Sequence, residues 1–215
     1  MKSFAILALT AIAGVFAAPA GDLEARQLGG STANDFLRYG CKGVIMIYAR
    51  ASTEPGNIGS SVGPILQSGL GSRYRNNFAM QGVDYPADLA SNFLPDGTLP
   101  SAITTMQNLL TKAANDCPNA KIAAGGYSQG TAVTAGAISR LPANIRNRIG
   151  AVVLFGYTKN LQNRGGIPNF PSNKLKVYCA VGDLVCTGTL IITLSHFTYL
   201  NDASGAVTFI ANRLG

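Results

Sequence analysis

The 215-residue sequence has no tryptophan, a single histidine, four cysteines and only 10 acidic residues against 17 Lys and Arg. One histidine with cysteines at these spacings leaves no zinc-type ligand set, so a zinc site is not expected. No N-x-S/T sequon occurs, which argues against N-glycosylation. The net charge is +7, but the basic residues are scattered and form no run or nucleic-acid recognition motif. Nucleic acid is therefore not an expected partner. The charge is read as a solubility feature, with weak attraction to acidic surfaces such as plant cell wall as the lesser reading. Beyond the N-terminus no stretch is long and apolar enough to cross a bilayer, so membrane insertion is not expected.

What is present suits one globular domain: 47% of residues are hydrophobic and 13% charged, enough apolar material to bury a core. The N-terminus MKSFAILALTAIAGVFAAPA has Lys2, an apolar run from Phe4 to Phe16, then small residues. Residues 1–17 read as a secretory signal peptide, which predicts an exported, extracellular protein. Residues 18–30 (APAGDLEARQLGG) are a pro-segment removed near Arg26 or a loose mature N-terminus, and 31–215 form the folded domain. Four cysteines in an exported chain imply two disulfides with three possible pairings. Cys179 and Cys186 close the short loop CAVGDLVC, which leaves Cys41 for Cys117.

The apolar run CKGVIMIYARA (41–51) predicts a buried strand, VGPILQSGLGSRYRN a helix and FAMQGVDYP a second strand. SAITTMQNLLTKAANDC places Ile103, Met106, Leu109, Leu110 and Ala113 on one helical face. KIAAGGY, AVVLFGYT and KLKVYCAV are further buried-type strands, with a small-residue helix (QGTAVTAGAISRL) after the first and DASGAVTFIANRL closing the chain. Alternating strands and helices without an internal repeat predict an α/β fold, a parallel sheet covered on both faces.

Gly-x-Ser-x-Gly occurs twice, in GSSVG (59–63) and GYSQG (126–130). Ser61 follows a turn with no strand before it, and its expected role is to cap the helix starting near Val62. Ser128 follows an apolar strand and precedes a helix, the setting of a nucleophile elbow. There the helix N-terminus presents free N–H groups where negative charge would develop. A serine nucleophile needs a base, and His196 is the only histidine in the chain. Between the two lies one acidic residue, Asp183, giving the order Ser, Asp, His of an α/β-hydrolase.

The segments PNAKIAAGGYSQG (118–130) and CAVGDLVCTGTLIITLSH (179–196) resemble the serine and Asp/His motifs of the cutinase family. Ala123 stands where that family usually carries a β-branched residue. The resemblance runs from about Cys41 to the C-terminus and includes YARASTE (48–54) and SNFLPDG (91–97). It implies a compact five-stranded, mostly parallel α/β-hydrolase without a lid. It also implies hydrolysis of cutin, related polyesters or small esters by a monomer needing no metal or cofactor. Carried over, Ser128 is nucleophile, His196 general base and Asp183 its orienter. The backbone N–H groups of Ser52 and Gln129 form the oxyanion hole, with Asn92 steadying Ser52.

Substrate contacts are expected from Leu94, Leu184, Val185, Leu190 and Leu194. Of the seven apolar residues around Asp183 and His196 (Leu184, Val185, Leu190, Ile191, Ile192, Leu194 and Phe197), about half are expected in the core. Acetylxylan esterase is the alternative activity, disfavoured because no tryptophan is present to stack on sugars. A catalytically silent secreted effector is the non-enzymatic alternative.

Overall fold

The computed structural model describes residues 30–215; the expected signal peptide and nearly all of the pro-segment lie outside them. Five strands, β1 (Val44–Ala49), β2 (Phe78–Gly82), β3 (Lys121–Tyr127), β4 (Ile149–Phe155) and β5 (Leu175–Tyr178), form one sheet in the order β2-β1-β3-β4-β5. Every pairing is parallel. The helices are α1 (Asp35–Tyr39), α2 (Val62–Tyr74), α3 (Pro100–Asp116), α4 (Gln129–Arg140), α5 (Ala143–Arg146) and α6 (Ala203–Leu214).

Side-chain alternation along the strands divides the core in two. Ile45, Ile47 and Ala49 of β1 face a layer built with α3 and α4, where Ile103, Met106, Leu110, Val133 and Ile138 are buried. Val44, Met46 and Tyr48 face the opposite layer with α2 and α6, represented by Leu66, Leu70, Ala206 and Ile210. Each such large side chain, fully removed from water, contributes about 1.5–3 kcal/mol. The predicted face of α3 is buried along its length, from Ile103 to Ala113.

KLKVYCAV departs from expectation. Only Leu175–Tyr178 is strand, and it is partly exposed rather than buried. It is an edge strand, paired only with β4 from Val152↔Leu175 onward, so its second side meets solvent. An apolar run is compatible with either position, and Lys174, just before the strand, and Lys176, exposed within it, were the sign of an edge.

Cys41 is bonded to Cys117, which ties the segment before β1 to the end of α3, and Cys179 is bonded to Cys186. Among the described residues no helix is long and apolar enough to cross a membrane.

Candidate active site

Ser128 sits between β3 and α4 with φ 52° and ψ −120°, in the left-handed region that costs a non-glycine residue about 1–3 kcal/mol. Its N–H donates to the Phe155 carbonyl at 2.9 Å, which anchors the turn to β4. The two glycines of the motif make this turn possible. A Cβ on Gly126 would lie 2.2 Å from the Gly130 carbonyl oxygen, and one on Gly130 would lie 2.0 Å from the Ala49 carbonyl oxygen. The backbone therefore approaches itself as closely as glycine allows, and Ser128 is thrust out above the sheet.

The segment after β5 supplies both of its neighbours. Asp183 follows β5, inside the Cys179–Cys186 loop, and Oδ1 accepts the Val185 N–H at 3.0 Å. His196 lies in a single 3-10 turn, Leu194–Phe197. Its Nδ1 is 2.8 Å from Asp183 Oδ2, and its Nε2 is 2.9 Å from Ser128 Oγ. An ionised carboxylate can only accept, so Nδ1 carries the hydrogen and Nε2 turns its lone pair to the serine hydroxyl. All three are buried, with 7% of Ser128 and 2% of Asp183 and His196 exposed. The ring packs over Gly156, where a Cβ would come within 2.7 Å of His196 Cε1.

Two tyrosines that sequence reasoning did not single out complete this cluster. Tyr127 donates its hydroxyl to the His196 carbonyl at 2.6 Å, with the two rings 5.4 Å apart. Tyr199, three residues past the histidine, accepts the Ala180 N–H at 3.0 Å and donates to Asp183 Oδ2. Burial first, and then the hydrogen bond to Asp183, push the Tyr199 hydroxyl well above the ordinary tyrosine pKa.

Ser61 has no imidazole partner. It occupies the N-cap position of α2, as expected, yet makes no side-chain capping bond. Its hydroxyl instead donates to Glu54 Oε1 at 2.5 Å. That carboxylate also accepts N–H groups from Ala51, Ser60 and Ser61, and so folds the loop after β1 onto the start of α2.

Ser52 lies in that loop, and its N–H has no acceptor among the described residues. Asn92 Nδ2 donates to Ser52 Oγ at 2.9 Å, leaving the serine hydrogen free to point elsewhere. Gln129 opens α4, and the first N–H groups of a helix lack intrahelical acceptors. The Gln129 side chain donates to the Asp88 carbonyl and to Ser91 Oγ, both at 2.8 Å, and so fastens α4 to the segment carrying Asn92. The Asp88 carboxyl, held by the Ser91 N–H, has its pKa lowered.

A cleft of about 590 Å³ opens over Ser128, with Leu89 and Phe93 on one side and Val185, Leu190, Ile192 and Phe197 on the other. Leu200 also lines it and, like Leu89, escaped the sequence reading. Of the five residues expected to contact substrate, Val185 and Leu190 line the cleft. Leu94, Leu184 and Leu194 do not; they are exposed outside it. The expectation that half of the seven apolar residues near Asp183 and His196 enter the core is also corrected. Only Val185 is buried, because this segment consists of short turns lying over the sheet edge rather than an element packed between layers.

The family model for cutinase matches residues 40–214. The chain belongs to the cutinase family. Among cutinases, Cutinase 1 of Fusarium vanettenii is 49% identical over 214 residues, covering 95% of this chain and 93% of the relative. The cutinase of Colletotrichum truncatum is 50% identical and covers both chains completely. The solved Trichoderma reesei cutinase, in complex with a C11Y4 phosphonate inhibitor, superimposes with a TM-score of 0.78 at 35% identity, over 90% of this chain and 85% of that one. An acetylxylan esterase structure superimposes with a TM-score of 0.65 at 22% identity over 81% of this chain, a likeness of fold alone. The cutinase architecture here is thus an α/β-hydrolase, with its catalytic candidates at the C-terminal edge of the sheet.

Proposed function

We propose that this member of the cutinase family is an exported carboxylic ester hydrolase that cleaves aliphatic polyester of the cutin type and smaller esters through an acyl-enzyme on Ser128. The observation that carries the reading is the continuous relay Ser128 Oγ, His196 Nε2, His196 Nδ1 and Asp183 Oδ2, with contacts of 2.9 and 2.8 Å. Export is supported by the signal-like residues 1–17.

In the first half of the reaction, Ser128 Oγ attacks the ester carbonyl while His196 Nε2 takes its proton. Asp183 holds the ring and stabilises the imidazolium without itself gaining the proton. The tetrahedral oxyanion is received by the N–H groups of Ser52 and Gln129 and by the Ser52 hydroxyl, which Asn92 orients. Collapse expels the alcohol, which takes the proton from His196. Water then repeats the sequence on the acyl-enzyme and releases the acid. These side chains, water and the ester complete the chemistry.

The apolar walls of the cleft favour aliphatic acyl groups over acetyl groups on a sugar. Hydrolysis of p-nitrophenyl esters of increasing chain length, measured beside cutin and acetylated xylan, tests the choice. Release of hydroxy fatty acids from cutin with a preference for butyrate or longer esters is expected. Preference for acetylated xylan would overturn it.

A further inference from the structure

The basic residues scattered along the sequence are gathered by the fold. Because all five strands run parallel, the residues leading into them share one end of the sheet, opposite the ester cleft. Lys42 precedes β1, Arg75 precedes β2, Lys121 opens β3, Arg148 precedes β4 and Lys174 precedes β5. The register levels these positions: Val44 pairs with Phe78 on one side and Lys121 on the other, and Ile122 pairs with Ile149. Lys174 Nζ reaches the Ile149 carbonyl at 3.1 Å, which brings its charge to the same end. With strands about 4.8 Å apart, the row of cations extends across about 20 Å.

Little at this end neutralises the row. Among the described residues Asp116 is there, already paired with Lys112, Asp35 on the β2 edge accepts the Met80 N–H, and Lys121 Nζ donates to the Gly215 carbonyl at 3.3 Å. Glu54, Asp84, Asp88, Asp183 and Asp202 lie in loops following the strands, toward the cleft end, and Asp96, in the loop between β2 and α3, is paired with Arg140. The molecule is thus electrically polarised along its strands. Arg148 is held in place by the carbonyls of Ala114, Cys117, Pro118 and Ala120, so its charge is fixed without a carboxylate partner. Arg75 and Lys121 are exposed.

We propose that this basic end docks a linear acidic polysaccharide, a polyuronate with one carboxylate per sugar, and holds the enzyme while its ester cleft faces away. Charge complementarity carries the surface. The choice of polysaccharide over nucleic acid rests on the export proposed above, and the ester chemistry does not enter it. Such binding is driven by released counterions and weakens steeply with salt, each cation contributing roughly 0.7–0.9 to the log–log slope by analogy with nucleic acids.

The test is retention of the full chain on immobilised, de-esterified polygalacturonate across a salt series. Two double variants remove equal charge: Arg75→Glu with Lys121→Glu at the basic end, and Lys159→Glu with Arg164→Glu elsewhere. The first should elute at clearly lower salt with a shallower slope, and the second should elute as the unmodified protein does. An unchanged rate on a soluble short ester certifies folding; if the first variant fails that check, Arg75→Gln with Lys121→Gln replaces it. Equal shifts in both variants, or no retention of the unmodified protein at low salt, would overturn the proposal. So would retention on single-stranded DNA at salt that releases the polysaccharide, which would transfer the surface to nucleic acid.

Discussion

Tyr199 donates its hydroxyl to Asp183 Oδ2 at 2.5 Å, and that same oxygen faces His196 Nδ1 at 2.8 Å. The carboxylate's charge is therefore shared between a phenol and an imidazole. Removing the phenol takes away one of the two donors that fix this oxygen. Tyr199→Phe should therefore lower kcat on a soluble ester by about 2–12-fold with little change in KM, since a hydrogen bond contributes about 0.5–1.5 kcal/mol net. Steady-state kinetics decides it. An unchanged kcat would reduce Tyr199 to a packing residue.

The oxyanion site has its own test. Ser52→Ala should lower kcat by about 10²–10³ with little change in KM, because the hydroxyl contact strengthens only as negative charge develops. Asn92→Ala should cost less, since it removes only the donor to Ser52 Oγ and leaves the hydroxyl in place. Steady-state kinetics on one soluble ester separates the two.

Glycine substitutions should divide by sign. Gly130→Ala places a Cβ 2.0 Å from the Ala49 carbonyl oxygen, so it should destabilise the fold severely. Gly71→Ala, inside α2, meets only Phe78 Cδ1 at 3.9 Å. It should stabilise by about 0.5–1 kcal/mol through the helix preference for alanine. Urea midpoints of the two variants measure both effects.

Much of this was legible from local pattern. The period of α3, the apolar runs of β1 and β4, and the glycine–serine punctuation before α4 each reflect short-range physics. The uniqueness of His196 and of Asp183 between Ser128 and His196 made the relay legible as well. Tyr199 and the side-chain contacts of Gln129 were not. A buried tyrosine that donates to a carboxylate looks in sequence like any aromatic, and the Gln129 side-chain contacts span about 40 positions. Nor does sequence distinguish Leu190, on the cleft wall, from Leu194, outside it: both are leucines in a turn-rich segment, separated only by the path of the backbone. The basic end escaped for the same reason, since its cations meet only when the strands align.

Alkaline conditions should destabilise the protein by a definite route. Burial pushes the hydroxyls of Tyr157 and Tyr178 up to about 12 and that of Tyr199 higher still. Below pH of about 10 these tyrosines are protonated in folded and unfolded chains alike, so they contribute fully. Above it the unfolded chain releases protons that the native state retains, and stability falls as pH rises toward the folded values. Urea midpoints taken between pH 9 and 12 should decline across that window, and less steeply in Tyr199→Phe.

The most direct measurement is intact-protein and peptide mass spectrometry after exposure to a p-nitrophenyl alkylphosphonate. One phosphonyl group should appear on Ser128, and none in Ser128→Ala. Labelling of Ser61, or sustained ester hydrolysis by the purified Ser128→Ala protein, would contradict the assignment of the nucleophile.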